Sequence, residues 1–310
     1  MQAVNNMIQE YLGKGIIEEN THEEGEVISH IFLRPKKNGE YRLILNLKQL
    51  NQHIEYIHFK MDTFASAIKL VQKDCFIASI DLLNAYYSVS MDKTSKKYLK
   101  FQWQGKLYAF TCMPNGLYSA PRKFTKLIKP CFAWLRQLGH TNVAYIEDSL
   151  LISESFTDCQ KNVAHTKGVL ENLGFLINMQ KSVLTPTQQI TFLGFVIDSV
   201  SMTVTLTSQK RLTTKKVVLN LLQKQKATIR EVATVVGKLV SCFPAVAHGA
   251  MHYRFLDVNK NNALRKFKGN YEAFMFLDQD MKSDLQWWLD NIDTAFADIL
   301  CRYPATRGGH

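Results

Sequence analysis

Three carboxylates stand where the sequence predicts strand ends or turns. Asp81 closes the apolar run CFIASIDL, which is typical of a buried strand, and Glu147 and Asp148 lie between the apolar runs of NVAYIEDSLLIS. If these strands are neighbours, the carboxylates converge and repel one another unless divalent cations neutralise them. Oxygen ligands suit Mg²⁺ or Mn²⁺, and two such ions can support phosphoryl transfer at a 3′ hydroxyl. For either site alone, the competing interpretation is that acids favour turns because turns are wet.

The strands that must position these acids are predicted from turn signals. IFLRPKK and EYRLILNL flank Asn38-Gly39, and NG between alternating runs is a strong hairpin signal. A second hairpin is expected across KYLKFQWQGKLYAFTCM, with its turn at Gln104-Gly105. The acidic stretch between Glu18 and Glu26 is expected to be a solvated lead-in.

Helix boundaries are predicted from capping residues. Asp62 is expected to cap a short helix over 63–71, and Ser119 a long helix that ends near Gly139 and that Pro130 should kink or divide. The capping-box pairs, each a Thr with a polar residue three positions later, are Thr157 with Gln160 and Thr228 with Glu231. From about residue 206 the pattern becomes almost entirely helical.

Composition points to a basic, folded protein. The chain has 310 residues, 46% of them hydrophobic, and a formal net charge of +11. Nucleic acid or another anionic surface is the expected partner class, although many mildly basic proteins bind neither. Six scattered cysteines without a CxxC pair and the lack of a long apolar stretch predict an intracellular protein, cytoplasmic or nuclear, with no membrane partner.

Six short motifs occur in an order that resembles the reverse transcriptases of retroelements, from about Ile31 to Asp257. They are RPKKNGEYRLILNLKQLN, SIDLLNAYYSV, MPNGLYSAPRKFTKLI, YIED, INMQKS and FLGF. FTKLIKPCFAWLR, REVATVVGKLVSCFPAV and HYRFLD are most similar to the DIRS type. The resemblance implies an α+β right-hand polymerase. Its fingers would span 1–74 and 92–119. Its palm, an antiparallel sheet backed by helices, would span 75–91 and 120–205. Its helical thumb, with the start of the connection, would span 206–310.

The resemblance also implies roles for individual residues. Asp81, Glu147 and Asp148 would be catalytic and, with the Leu82 carbonyl, would bind two Mg²⁺ or Mn²⁺ ions. The nucleotide-binding residues would be Lys37 (or Lys36), Arg42, Tyr86, Asn115, Gly116 and Lys181, with Tyr86 as the steric gate against a ribose 2′ hydroxyl and Lys181 as the general acid to the pyrophosphate. Leu193 and Gly194 would form the primer grip. Alternatively, Arg42 pairs with a surface acid, Tyr86 belongs to the core and Gly116 only forms a turn.

The catalytic turn departs from the family pattern of Tyr, any residue, Asp, Asp. This chain has Tyr145, Ile146, Glu147, Asp148, and the extra methylene of glutamate moves the carboxylate by roughly 1.5 Å, where misplacement of about 1 Å can cost about 100-fold in rate. Two hypotheses follow, an active polymerase that tolerates Glu147 and an impaired relative that only binds nucleic acid. An RNA-directed RNA polymerase, which shares the palm, is disfavoured by Tyr86.

The expected partners are an RNA or DNA template with its primer and deoxynucleoside triphosphates, whereas the oligomeric state is open. Four basic residues of the first thumb helix either contact phosphates or form an ordinary solvated face: Lys210, Arg211, Lys215 and Lys216. His248 and His252 lack the glutamate of an HExxH zinc motif, so packing is expected instead. No second set of nuclease carboxylates is recognisable, and the chain is expected to be a fragment of a larger polyprotein.

Overall fold

A computed structural model describes residues 1–35, 39 and 41–302. Its helices are α1 (Gln2–Gly13), α2 (Lys48–Asn51), α3 (Phe64–Ile68), α4 (Ala120–Gln137), α5 (Phe156–Asn172), α6 (Ser208–Leu222), α7 (Ile229–Val240), α8 (Arg254–Lys266), α9 (Gln279–Asn291) and α10 (Ile299–Arg302). Its strands are β1 (Ile17–Asn20), β2 (Ile31–Pro35), β3 (Tyr41–Leu45), β4 (Phe76–Asp81), β5 (Lys100–Trp103), β6 (Lys106–Phe110), β7 (Thr141–Tyr145), β8 (Asp148–Ser153), β9 (Val183–Thr187), β10 (Gln189–Phe192), β11 (Phe195–Asp198), β12 (Thr203–Leu206), β13 (Lys226–Thr228), β14 (Phe274–Phe276) and β15 (Phe296–Asp298).

The sheet that carries the predicted catalytic acids has the strand order β7-β8-β4-β9. Strand β4 pairs with β9 in antiparallel fashion, and its side chains at Ile77, Ala78 and Ile80 are fully buried. The remaining sheets have the orders β1-β6-β5, β2-β3, β10-β11-β12-β15 and β13-β14. Mixed helices and antiparallel sheets of this kind are the α+β arrangement that the sequence predicted.

The chain divides into two compact units. The first comprises Met1–Asp62, Ile80–Ser149 and Val163–Ser182, and the second comprises Thr63–Ser79, Leu150–Asn162 and the described chain from Val183 onward. In the first unit, α4 buries an apolar face through Phe124, Ile128, Phe132 and Leu135. In the second, α7 buries one through Val232, Val235, Val236 and Leu239. Both faces follow the helical spacing of their apolar residues.

The strand predictions are confirmed. β4 ends at Asp81, β5 and β6 flank the Gln104-Gly105 turn, and β7 and β8 flank the turn that contains Glu147. β2 and β3 form the first predicted hairpin, but Asn38 of its turn lies outside the described residues. The prediction that Asp148 lies in the turn with Glu147 was wrong, because Asp148 is the first residue of β8.

Two predicted helix starts were wrong by one or two residues. Thr63, not Asp62, caps α3, because its hydroxyl accepts from the Ser66 N–H and Ser66 reciprocates. Ser155, not Thr157, caps α5, because the Asp158 N–H donates to its hydroxyl. In both places several adjacent polar residues could cap, so the sequence alone could not select one. The capping box of Thr228 and Glu231 is confirmed.

Pro130 does not divide its helix, since α4 continues from Ala120 to Gln137 with the proline inside. Gly139 follows that helix with φ of +86°, as expected of a C-terminal stop. Ser119 occupies the N-cap position, but its side chain makes no capping hydrogen bond.

The acidic stretch is more than a solvated lead-in: Glu19, Glu23 and Glu24 are exposed as predicted, but the stretch also pairs with lysines of the first unit. Lys100 is fully buried, and its Nζ lies 2.8 Å from a carboxylate oxygen of both Glu23 and Glu26. Glu18 pairs with Lys96, and β1 forms a sheet with β6. This ion-pair network could not be predicted from local sequence patterns, because Lys100 lies 74 residues after Glu26.

The structure agrees with the predictions for the cysteines and for His252. All six cysteines are free thiols. None of the helices among the described residues has the length and apolar character needed to cross a membrane. His252 packs as expected, with its ring stacked on Trp287 at 4.0 Å between centroids.

Candidate active site

The structure brings Asp81 and Asp148 together. Asp81 is the last residue of β4, and Asp148 is the first residue of the neighbouring strand β8. Their carboxyl groups interact, because burial and then the Asp81 charge contribute to a raised pKa of Asp148. The Asp81 side chain is 13% exposed, so it is largely buried but still reaches solvent.

Backbone hydrogen bonds fix where the Asp81 carboxylate is presented. The Ser182 hydroxyl accepts from the Asp81 N–H at 3.0 Å, and the Asp81 carbonyl accepts from the Asn178 N–H at 2.8 Å. The Leu82 N–H donates to the Glu147 carbonyl at 2.9 Å, which joins the end of β4 to the catalytic turn. Asp81 and Leu82 are therefore held by segments that come much later in the chain.

Mutual repulsion and burial perturb the acids of the turn. Burial, followed by the charges of Asp81 and Glu147, raises the pKa of Asp148 to about 6. Burial and then the Asp81 charge raise the pKa of Glu147, while the positive charges of Arg42 and Lys181 oppose that rise. Carboxyl groups that repel one another in a partly buried place are typical of functional sites.

The turn between β7 and β8 is strained. Ile146 has φ of +54°, whereas Glu147 has an ordinary φ, and positive φ at only the first central position is typical of a type II′ turn. Glycine normally occupies that position, because a side chain there, above all a β-branched one, is disfavoured. The sequence showed a tight turn here but not its strain.

Cationic side chains flank the acids. The Lys181 Nζ lies 3.7 Å from Asp81 Oδ2, although the lysine side chain is 67% exposed and so retains freedom to move. Arg42 lies on β3, where the strand register places it directly opposite Arg34 of β2. Like charges opposite one another destabilise a strand pair. Arg34 is a candidate anion-binding residue that the sequence analysis missed, and only the hairpin register reveals it.

Tyr86 is half-buried and lies close to the acids. Its ring packs edge-on against Phe124, with centroids 5.7 Å apart. Burial first, and then the charges of Glu147 and Tyr145, raise the pKa of Tyr86 to about 12. The residue is therefore partly core and partly accessible, within electrostatic range of the catalytic turn.

Asn115 and Gly116 occupy a turn that two other side chains hold. Asn115 Nδ2 donates to the Tyr87 hydroxyl at 3.0 Å. The Gly116 carbonyl accepts from Asn51 Nδ2 at 2.9 Å, and Asn51 Oδ1 accepts from the Tyr118 N–H at 2.8 Å. Gly116 has φ of +100°, which favours glycine. Asn51 and Tyr87 stand within the motifs quoted above, but their contacts could not be read from them.

The predicted primer-grip residues lie in the second unit. Leu193 and Gly194 form the two-residue turn between β10 and β11, and both have positive φ. The Lys210 Nζ lies 3.8 Å from the centre of the Phe195 ring, next to this turn. Lys37 and its alternative Lys36 lie outside the described residues.

The basic residues of α6 were predicted either to contact phosphates or to form an ordinary solvated face, and the structure shows that several of them make contacts within the protein. Lys215 pairs with Asp293, and Arg211 donates to the Asp293 carbonyl. Burial lowers the pKa of Lys210, which packs on Phe195. Lys216 is exposed. These contacts make part of the basic face structural.

The donor chemistry of the acids fits divalent metal binding. Asp81 and Asp148 supply adjacent carboxylate oxygens, and their repulsion is what a bound cation would relieve. Among residues 1–35, 39 and 41–302, however, no three His, Cys, Asp or Glu side chains are grouped closely enough to hold a metal ion. Glu147 thus interacts electrostatically with Asp81 but does not complete a three-carboxylate group.

Comparison with protein families gives a match over this site. Residues 34–197 match the family model described as "Reverse transcriptase (RNA-dependent DNA polymerase)". The chain is 26% identical over 197 residues to the Transposon Tf2-3 polyprotein of Schizosaccharomyces pombe, which covers 64% of this chain and 14% of that protein. It is 22% identical over 191 residues to the Pro-Pol polyprotein of Simian foamy virus type 1, and this match covers 62% of this chain and 16% of that protein.

Solved structures share the fold. A foamy viral protease-reverse transcriptase in complex with double-stranded DNA has a TM-score of 0.76 at 20% identity and covers 95% of this chain and 48% of that one. The foamy viral protease-reverse transcriptase in complex with an RNA/DNA hybrid has a TM-score of 0.72 at 19% identity, and the match covers 95% of this chain and 37% of that one. This chain therefore has the polymerase fold of those proteins.

Proposed function

This chain belongs to the reverse transcriptase (RNA-dependent DNA polymerase) family, and on that premise we propose that it extends a primer on an RNA or DNA template by nucleotidyl transfer. The observation that carries the proposal is the placement of Asp81 and Asp148 on the neighbouring strands β4 and β8, where burial and the Asp81 charge help to raise the pKa of Asp148 and Lys181 and Arg42 supply positive charge. Because the chain covers only a small part of its curated relatives, the proposal concerns this polymerase part alone.

Two divalent ions, Mg²⁺ or Mn²⁺, would neutralise charge at the attacking and leaving oxygens when bound. Asp81 and Asp148 are the residues proposed to hold them, with Glu147 and the Leu82 carbonyl as further ligands. The ordered backbone contacts of Asp81 keep its carboxylate at the end of β4, so the ligand does not have to be recruited by folding of a loop.

Arg42 and Arg34 are proposed to bind the incoming triphosphate, together with Lys37 or Lys36. The support is their cross-strand register, because two guanidinium groups opposite one another are stabilised by a shared anion. Lys181 is proposed to donate a proton to the departing pyrophosphate. Its 3.7 Å contact with Asp81 and its exposure allow it to change partners within the site.

Tyr86 is proposed to exclude ribonucleotides, which separates this function from that of an RNA-directed RNA polymerase. Its half-buried ring is packed against Phe124, so it presents a fixed wall rather than a mobile side chain. Tyr86→Ala should admit ribonucleoside triphosphates, measured as the ratio of deoxyribonucleotide to ribonucleotide incorporation. Equal use of both by the unmutated protein would contradict the gate.

Leu193 and Gly194 are proposed as the primer grip, with exposed Lys216 as a phosphate contact. Fingers, palm and thumb are proposed at the boundaries given from the sequence. Phosphate contacts would make binding of the primed template weaken as salt rises. The DIRS type, supported by the motifs within α4 and α7, and an intracellular location are further proposals.

A second candidate is an impaired relative that binds nucleic acid without copying it. The observation that favours it is Glu147, which does not join Asp81 and Asp148 in a three-carboxylate group among the described residues. Its longer side chain preserves charge but alters reach. Replacement by aspartate distinguishes the two functions.

Primer extension on an RNA template, with Mg²⁺ and separately with Mn²⁺, tests the proposal. The unmutated chain should extend the primer, and Asp81→Ala should not, while both still bind the primed template. If neither metal supports extension although the template is bound tightly, the nucleic-acid-binding function replaces the polymerase.

A further inference from the structure

We propose that the hydroxyls of Ser149 and Ser182 hold the end of β4 from its two neighbouring segments, which makes both serines positioning residues for the Asp81 carboxylate. The inference rests on the proposed function, in which Asp81 is a metal ligand. Ser149 belongs to β8, and Ser182 stands directly before β9. These two strands lie on opposite sides of β4 in the sheet order β7-β8-β4-β9, so side chains brace the end of β4 from both sides.

The pairing between β4 and β9 is irregular at the end of β4. Ser79 pairs with Val183, and Leu82 forms an antiparallel bridge with Ile177. Two residues separate these paired positions on the first segment, whereas five, 178–182, separate them on the second. The five residues therefore bulge out of the ladder. Bulges are frequent next to active sites, where they redirect side chains.

The Ser182 hydroxyl supplies an acceptor that a regular ladder would take from a backbone carbonyl. It accepts from the Asp81 N–H at 3.0 Å. The bulge closes on itself, because the Ser182 N–H donates to the Asn178 carbonyl at 2.9 Å. The Asn178 N–H in turn donates to the Asp81 carbonyl at 2.8 Å. One closed turn thus bonds to both backbone polar groups of Asp81, and satisfying both restricts its backbone.

On the opposite side, Ser149 joins the residues next to the two acids. It follows Asp148 directly and is 3% exposed. Its hydroxyl donates at 3.0 Å to the carbonyl of Ile80, the residue before Asp81. The bond connects β8 to β4 one residue away from each proposed metal ligand, so it limits how far the two carboxylates can separate.

Bonds outside the carboxylates are needed because the carboxylates themselves repel. Asp81 and Asp148 are like-charged when ionised, and like charges in a partly buried place favour separation. A cation that binds both acids is held best when their oxygens stay in place. Residues that orient metal ligands without touching the metal typically change its affinity by about 10- to 100-fold when they are replaced.

The test measures Mn²⁺ binding by the full chain, from the electron paramagnetic resonance signal of free Mn²⁺, without nucleic acid or nucleotide. The binding that is lost in Asp81→Ala defines the site. Ser149→Ala and Ser182→Ala each remove one hydroxyl, and Ser182→Thr keeps it. Thermal unfolding checks that each variant is folded.

Ser199→Ala is the matched control, because Ser199 makes the same kind of bond at the other end of the strand. Ser199 is fully buried, and its hydroxyl donates at 2.6 Å to the carbonyl of Cys75, the residue before the start of β4. Its loss removes a buried hydrogen bond but leaves the end of β4 that carries Asp81 unchanged.

We expect Ser149→Ala and Ser182→Ala to weaken Mn²⁺ binding at this site about 10-fold, and Ser182→Thr to restore it. Ser199→Ala should lower Tm without weakening Mn²⁺ binding. In primer extension, the Mn²⁺ concentration that gives half the maximal rate should rise by the same factor in the two alanine variants. Unchanged Mn²⁺ binding in either folded alanine variant, or an equal loss in Ser199→Ala, overturns the inference and leaves the proposed function intact.

A second readout needs neither metal nor activity. In a chain labelled with ¹⁵N-aspartate, the Asp81 amide signal is identified by its loss in Asp81→Ala. Ser182→Ala should speed solvent exchange of the Asp81 amide proton, whereas Ser199→Ala should not, and an unchanged rate in Ser182→Ala contradicts the inference. If the unmutated chain neither binds Mn²⁺ at this site nor extends a primer, the proposed function fails, and the exchange rate still decides whether Ser182 holds Asp81.

Discussion

Two hairpin turns of the first unit have the same length but opposite local energetics. Gln104-Gly105 joins β5 to β6 with φ of +49° and +78°, and glycine occupies one of the two positive-φ positions at the solvent-exposed tip. Ile146-Glu147 joins β7 to β8 with φ of +54° at a β-branched residue. The first turn has the chemistry expected of a tight hairpin, whereas the second violates it.

The two turns also differ in the number of carboxylates that they carry. No carboxylate stands at residues 104 and 105, whereas the second turn carries Glu147 and leads directly into Asp148, whose pKa burial and neighbouring acids raise to about 6. Backbone strain and repelling charges persist only where the surrounding structure over-determines them, and they concentrate at functional sites. The difference supports the proposal that the sequence around Ile146 is organised for binding rather than for stability.

The largest effect that would sharpen this contrast is expected from Glu147→Asp. Shortening the side chain lets the carboxylate approach Asp81 and Asp148 as in the usual family pattern. We expect primer extension to rise, by up to about 100-fold, the cost of misplacement by about 1 Å. Single-turnover extension rates measure the change.

The Glu147→Asp variant can also show that Glu147 does not impair the enzyme. Glu154→Asp, at an acid that follows the end of β8, is a matched control and should leave the rate unchanged. No gain in Glu147→Asp would mean that the longer side chain is accommodated, and the second candidate function would lose its support.

A smaller effect is expected when the relaxed turn is made to resemble the strained one. Gly105→Ala places a side chain at φ of +78° in open space, so only backbone strain changes. We expect a loss of about 1–2 kcal/mol in the free energy of unfolding. Gly13→Ala, at a helical position that is equally open but has no positive φ, is the control and should not destabilise the chain. Urea unfolding measures both, and equal results would remove strain as the distinguishing feature.

Sequence reasoning predicted the strands of the site better than it predicted the helix starts. Strand β4 and its terminal Asp81 follow from an apolar run that ends in a carboxylate, a signal confined to eight residues. The cap of α3 was misplaced because adjacent Asp62 and Thr63 are both good caps, and only the Ser66 partner decides between them.

Contacts between distant segments could not be predicted. The opposition of Arg34 and Arg42 depends on hairpin register, and the bond between Asn115 and Tyr87 depends on how two turns pack. The burial of Lys100 against Glu23 and Glu26 could not be predicted for the same reason. Spacing in the sequence predicts which residues share an element, but it does not specify which elements meet.

The most direct test of the account is the stability of Asp148→Asn across pH in the presence of EDTA, together with its primer extension under assay conditions. Because the pKa of Asp148 is raised to about 6, the folded chain binds this proton more tightly than the unfolded chain. Its stabilising contribution is therefore complete below about pH 4 and is lost as pH rises through about 6.

Asp158→Asn provides a control of opposite sign. The Ser155 hydroxyl and then Lys161 lower the pKa of Asp158, so its contribution is present at neutral pH and disappears in acid. We predict that Asp148→Asn raises Tm above that of the unmutated chain at pH 8 but not at pH 4 and abolishes extension, whereas Asp158→Asn lowers Tm at pH 8. An Asp148→Asn chain that gains no stability at pH 8, or that still extends a primer, would contradict the claim that this turn trades stability for catalysis.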